Sequence, residues 1–159
     1  MELNTRGRYA VTAMADLAKH GADGALALSM IAGRQQTSLA YLEQLFLKLR
    51  RAGLVESARG RSGGYRLARP ARAISVAEIM AAVEEDIRMT RCSGEAAKPC
   101  MSGQRCLTHG LWDALSDQIA SFLGNVTLQE VLDGIPPEKH ALPASRLFMN
   151  PQAIGSTSE

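Results

Sequence analysis

Between Arg8 and Lys19 the apolar residues Ala10, Ala13, Met14, Leu17 and Ala18 recur three and four positions apart, predicting an amphipathic helix with Gly21 placed to end it. A short second helix is expected over residues 30–34, capped by Ser29. After the polar turn Gln35-Gln36-Thr37 a third begins at Ser38, with Leu39, Leu42, Leu45, Phe46 and Leu49 on one face and Gly53 as its stop. The period then shortens. LVESAR and YRLAR read as two strands flanking the glycine-rich turn Gly60-Arg61-Ser62-Gly63-Gly64.

Helical spacing returns after Pro70. Ser75 to Glu78 (SVAE) matches a capping box opening a helix with Val76, Ile79, Met80 and Val83 inward. Leu111, Leu115, Ile119, Phe122 and Val126 then mark a long amphipathic helix ending near Asn125. Thr127 to Glu130 (TLQE) is a second capping box, and Gly134 with Pro136-Pro137 ends the short helix it starts. From Pro136 to Glu159 the composition turns to Pro, Ser and small polar residues, predicting a disordered tail in which Leu147-Phe148-Met149 is the one docking patch.

Helix, helix, turn, helix and hairpin, in that order, predict a mainly α fold with a small β-hairpin wing: a winged helix-turn-helix domain. Composition agrees. The 159 residues are 46% hydrophobic, enough for one compact core. No stretch approaches the roughly 18 apolar residues of a membrane span, and MELNTRGRYAV lacks a signal-peptide core, so a cytoplasmic location without membrane partners is expected. Residues 1–72 carry 12 Lys+Arg against 5 Asp+Glu, and the remainder 6 against 11. A basic first half is expected to meet a polyanion.

With its apolar face packed inward, the third helix turns Ala40, Glu43, Gln44 and Lys48 outward, and these suit a DNA major groove. Gln44 can bond adenine bidentately, Glu43 can accept from a cytosine amino group and Ala40 can touch a thymine methyl. Lys48, Arg50 and Arg51 would lie near phosphates, while Arg59, Arg61 and Arg66 surround a wing suited to the minor groove. Ser38 and Tyr41, on the same helical stretch, belong with this DNA-facing set. The glycine-rich turn lacks the Gly-Lys-Ser/Thr ending of a phosphate loop and leads into a strand. Glu84-Glu85-Asp86 reads as a solvated helix end, and no nucleophile, base and orienting group cluster, so no enzyme is expected.

All three cysteines lie in one polar stretch, Cys92-x7-Cys100-x5-Cys106-x2-His109. Buried structural cysteines keep apolar neighbours; these have Ser, Gly, Lys, Gln and Arg. Three thiolates and an imidazole make a soft four-ligand set suited to zinc or an iron-sulfur cluster. Ligand count leaves both open, and the lack of a short C-x2-4-C knuckle leans toward a cluster. His20 and His140 read as surface or hydrogen-bonding residues, and Trp112 as packing between the loop and the helix.

TRGRYAVTAM, SLAYLEQLF, RGRSGGYRL and RCLTHGLW together resemble the IscR family, winged helix-turn-helix repressors that regulate iron-sulfur cluster assembly in bacteria; the likeness runs from Met1 to about Gly134. The resemblance implies a homodimer joined through the long helix, with a [2Fe-2S] cluster on Cys92, Cys100, Cys106 and His109, supplied by the cluster assembly machinery. It also implies DNA-contacting or wing-supporting roles for Glu43, Gln44, Arg59 and Tyr65. The loaded dimer would repress the assembly operon, and the apo form would keep a second class of promoters. Its third helices, about 34 Å apart, would read an imperfect palindrome in double-stranded DNA. The chain departs from the family in a longer stretch between Cys92 and Cys100, in Ala40 for a usual serine, and in Arg61-Ser62 for Pro-Gly. On this reading residues 1–72 form the DNA-binding domain, 73–90 a connecting helix, 91–110 the cluster-binding loop, 111–134 the dimerisation and capping helices, and 135–159 the tail. Related iron- or nitric-oxide-responsive repressors, or a small iron-sulfur electron carrier, are the alternatives.

Overall fold

A computed structural model of the chain describes residues 5–22, 24–60, 63–83, 105–135 and 139. Cys92, Cys100, Arg61 and nearly all of the expected tail lie outside them. The described elements are α1 (Thr5–His20), α2 (Leu28–Gln35), α3 (Leu39–Arg51), β1 (Val55–Ala58), β2 (Gly64–Leu67), α4 (Val76–Ala82), α5 (His109–Asn125) and α6 (Leu128–Asp133), with one 3-10 turn at Ala71–Ala73. This is the predicted order. No helix among the described residues is long and apolar enough to cross a membrane.

The predicted apolar faces build one core. Ala10, Ala13, Met14 and Leu17 of α1 meet Ile31 of α2, Leu42, Leu45, Phe46 and Leu49 of α3, and Ile79 of α4, all at most 2% exposed. Leu128 of α6 joins the same cluster, so α1 packs on α2, α3 and α4 and also on the last described helix, α6. Leu39, expected inside, is the first residue of α3 and is 41% exposed. Helix α2 starts at Leu28, not after Ser29, and its cap Ala27 contributes no side-chain bond. Burial of Leu28 and a backbone bridge between Leu26 and Tyr65 set the entry instead. Gln36 then takes a left-handed conformation, φ 49°, to close the α2 end, and its N–H donates to the Ala32 carbonyl.

Across this α1–α2 junction lies a half-buried ion pair. Arg34 grips Asp16 through Nε and Nη2, and Gln35 Nε2 donates to the Asp16 Oδ2 at 2.8 Å. Burial alone would raise the Asp16 carboxyl's pKa, but the bonds from Arg34 and Gln35 and the guanidinium charge hold it below its ordinary value.

Both capping boxes form. Ser75 Oγ accepts the Glu78 N–H while Glu78 accepts the Ser75 N–H at 2.8 Å, and Thr127 and Glu130 repeat the exchange. The two boxes sit side by side, since Val76 N–H donates to Val126 O and Leu128 N–H to Ile74 O. Lys139 adds a clamp, donating to Glu130 Oε1 at 2.6 Å and to the last carbonyl of α5. That ammonium, with the Thr127 N–H and hydroxyl, lowers the Glu130 pKa to about 2. Ser75→Ala and Thr127→Ala are each expected to lower the unfolding free energy by about 1 kcal/mol in urea denaturation, because each strands a helix N–H. An unchanged midpoint would show that water replaces the hydroxyl without loss.

Candidate functional site

The basic face is built on α2, α3 and the hairpin. Ser38 takes an extended conformation and caps α3, accepting the Tyr41 N–H, and α3 carries Lys48, Arg50 and Arg51 in its last turn. Ala40, Glu43, Gln44, Arg50 and Arg51 are exposed, as the helical period predicts, and Lys48 is half-buried. Sequence reasoning passed over Leu47. It is 38% exposed on the same outward face, at i+3 and i+4 from Gln44 and Glu43. The periodicity that assigned its neighbours could have found it.

Two of the proposed contact residues also hold the scaffold together. Tyr41 packs edge-on against Tyr9 with ring centroids 5.8 Å apart, and Tyr65 packs on Phe46 at 5.0 Å. Tyr65 thereby pins the wing to α3. Its N–H and carbonyl also exchange hydrogen bonds with Leu26, at 2.9 and 2.8 Å, so β2 lies between β1 and the chain entering α2.

The wing glycines answer a requirement inside the protein. A Cβ on Gly64 would lie 2.3 Å from the Leu26 carbonyl oxygen, and one on Gly63 would lie 2.8 Å from that of Gly60. Gly64 is there for the protein's own backbone.

Not every arginine in the basic half offers a free charge. Arg34 is held by Asp16, Arg66 pairs with its cross-strand partner Glu56 at 2.9 Å, and Arg69 pairs with Glu78 at 2.8 Å. Arg50 reaches Ser57 on β1. Arg51 and Arg59 are exposed and make no ion pair among the described residues, which leaves them, at the end of α3 and the root of the wing, as available cations.

In the second half of the chain the C-x2-H motif forms one turn. The His109 N–H donates to the Cys106 carbonyl at 3.1 Å, making His109 the first residue of α5, 8% exposed, with Cys106 half-buried beside it. Thr108 supports the turn, its hydroxyl lying 3.7 Å from Cys106 Sγ and accepting the Trp112 Nε1–H at 3.2 Å. Trp112 is half-buried. Among the described residues no three His, Cys, Asp or Glu side chains gather as a metal site. A thiol and an imidazole one helical turn apart nevertheless fit half of the expected soft ligand set.

The apolar stripe expected on α5 divides in the structure. Ile119 and Val126 turn to the protein, with Leu123 packing on Val76 and Met80, while Leu111, Leu115 and Phe122 are 62%, 37% and 41% exposed. A 17-residue helix that rests on α4 along one side leaves the other side's leucines uncovered.

A helix-turn-helix with an attached hairpin, an exposed polar face on its second helix and cations at that helix's end define a winged-helix transcriptional regulator. The comparisons agree. The Rrf2 model, described as an iron-dependent transcriptional regulator, matches residues 3–134. The HTH-type transcriptional regulator IscR of Xenorhabdus nematophila is 52% identical over 132 residues, 83% of this chain and 79% of that protein. Among solved structures, T. potens IscR is similar at 34% identity and a TM-score of 0.69, covering 89% of this chain and 93% of that one. CymR (YrzC), the global cysteine regulator of B. subtilis, is similar at 32% identity and a TM-score of 0.70, covering 84% and 97%. This chain belongs to the Rrf2 family of transcriptional regulators, and its relatives are regulators and not enzymes.

Proposed function

We propose that this chain is a cytoplasmic repressor that senses iron-sulfur cluster supply, acting as a homodimer that, when loaded with a [2Fe-2S] cluster, shuts down the operon for cluster assembly. The observation that carries the reading is the Cys106–His109 turn at the root of α5. It puts a thiol and an imidazole at the start of the helix that carries an uncovered apolar stripe and runs directly into the Val126 and Leu128 backbone bonds of the winged-helix core.

Cys92, Cys100, Cys106 and His109 would hold the cluster, which when bound supplies an occupancy signal that rises and falls with cluster availability. The chain's own residues do the rest. Leu111, Leu115 and Phe122 of α5 meet the same residues of a second copy and remove their apolar surface from water. A shift at the start of α5 reaches α1 through Val126, Leu128 and the paired capping boxes, and α1 carries α2 and α3. Ligand occupancy can change promoter choice only through such a difference in DNA affinity between the two forms.

On DNA, α3 enters the major groove, with Gln44 reading adenine, Glu43 reading cytosine and Ala40 touching a thymine methyl. Ser38, Lys48, Arg50 and Arg51 hold phosphates, Arg59 and Arg61 place the wing in the minor groove, and Tyr41 and Tyr65 brace these elements from behind. Two copies would read an imperfect palindrome, and the apo form would keep a different class of sites.

Anaerobic purification tests the ligand assignment. A red-brown dimer with visible absorption is expected, and Cys92→Ala, Cys106→Ala or His109→Ala should each lose most of the colour and the cluster-dependent part of DNA binding in gel shifts. A colourless protein with stoichiometric zinc would replace the cluster by a structural metal. Colour without any DNA binding would favour an electron carrier.

A further inference from the structure

We propose that Leu47 is a specificity-determining residue that reads the C5 methyl of a thymine in the major groove, about three base pairs from the base reached by Ala40. The proposal rests on α3 being the DNA-reading helix, as argued above.

The placement of Leu47 is the starting observation. Leu45, Phe46 and Leu49 are at most 2% exposed, whereas Leu47 is 38% exposed in the same helix. At about 100° per residue, Leu47 points roughly 160° away from Leu45 and Leu49 and within about 20° of Ala40. It therefore stands at the middle of the outward face. Glu43 and Gln44 lie one turn before it and Arg51 one turn after, all exposed, so its immediate neighbours on that face are polar or charged.

A lone exposed leucine is ordinary on a protein surface. At the centre of a groove-facing surface it has a narrower meaning. Leucine has no hydrogen-bond donor or acceptor in its side chain, so it cannot read the polar pattern of a base edge. In the major groove the thymine C5 methyl is the apolar feature a base pair presents, and contact with it removes both groups from water.

Spacing then fixes which base. Ala40 and Leu47 are seven residues apart, about 10.5 Å along the helix, against about 3.4 Å per base step. The outward face thus reads apolar, polar, polar, apolar: a methyl at each end, with Glu43 and Gln44 between. Each half-site is expected to show two thymines about three steps apart, flanking the cytosine and adenine positions.

The test is selection of binding duplexes by the full-length protein from a randomised DNA library, followed by base replacement in the selected duplex. Wild type should enrich a thymine at the outer position, and Leu47→Ala should lose that preference while keeping those set by Glu43 and Gln44. Replacing this thymine by uracil should weaken wild-type binding about fourfold, the worth of one buried methyl, and leave Leu47→Ala within about 1.5-fold. Because Leu47 is outside the core, the variant should keep a wild-type thermal midpoint. A Leu47→Ala motif identical to wild type, or equal loss on uracil replacement in both proteins, overturns the proposal while leaving α3 as the reader. If Gln44→Ala and Glu43→Ala also select the wild-type motif, or wild type selects none, α3 does not read DNA and both claims fall.

Discussion

Gly64→Ala is expected to cost about 3 kcal/mol and to lower the thermal midpoint by about 10 °C, a large loss for one methyl on a half-buried strand. The cause is the approach of two backbones. The new Cβ would stand 2.3 Å from the Leu26 carbonyl oxygen and 2.8 Å from the Ala27 nitrogen, and neither is the end of a side chain that can rotate away. Relief requires β2 to move off Leu26, which breaks the two Leu26–Tyr65 hydrogen bonds and drags Tyr65 from Phe46. The wing would loosen from α3, so DNA binding should weaken even where the protein stays folded. Gly33→Ala is the opposite case. It lies within α2, where the added Cβ would meet nothing within 4 Å beyond its own stretch of helix backbone, and should stabilise by about 0.5–1 kcal/mol through helix propensity. Differential scanning calorimetry of both variants checks the pair; a Gly64→Ala midpoint within 2 °C of wild type would refute the close approach.

Asp16→Asn is expected to cost about 2 kcal/mol near pH 7. The Asp16 side chain is 3% exposed and accepts from Arg34 and Gln35, whereas an amide accepts on one side only and leaves the guanidinium without a counter-charge. Because the Arg34 side chain is 32% exposed and reaches water, the loss stays below that of a fully enclosed pair. The sign with pH follows from the lowered carboxyl. Asp16 titrates below its ordinary 3.8 in the folded chain, so its contribution is fully present above that value and is lost as pH falls through the lower folded one. Urea denaturation of wild type and variant should therefore show a gap that is constant from pH 7 to about 5 and closes below about 4. A gap that persisted into strong acid would mean that the network stabilises through packing and not through charge.

These two sites differ in how far the chain announces them. Nothing in the local pattern links Asp16 with Arg34, 18 positions away, because an ion pair between helices follows from how α1 and α2 cross. Gly64 was legible as a turn glycine, but its partner Leu26 was not, since an isolated bridge of one residue leaves no period to detect. The two capping boxes, the end of α5 at Asn125 and the inward residues of α4 were all legible, because each depends on residues within one or two helical turns.

The candidate site divides in the same way. Spacing alone placed Ala40, Glu43 and Gln44 outward, for helix geometry converts spacing into direction, and it set Cys106 and His109 in one motif. Packing decided that Tyr41 and Tyr65 hold α3 to its neighbours, that Arg34, Arg66 and Arg69 spend their charge on the protein itself, and which residues of the α5 stripe remain uncovered. The helices and their faces were in the order of the residues because local sterics and hydrogen bonding act over a few positions. Which charges stayed available, and which glycine could not be replaced, awaited the tertiary structure, because both depend on groups brought together from distant parts of the chain.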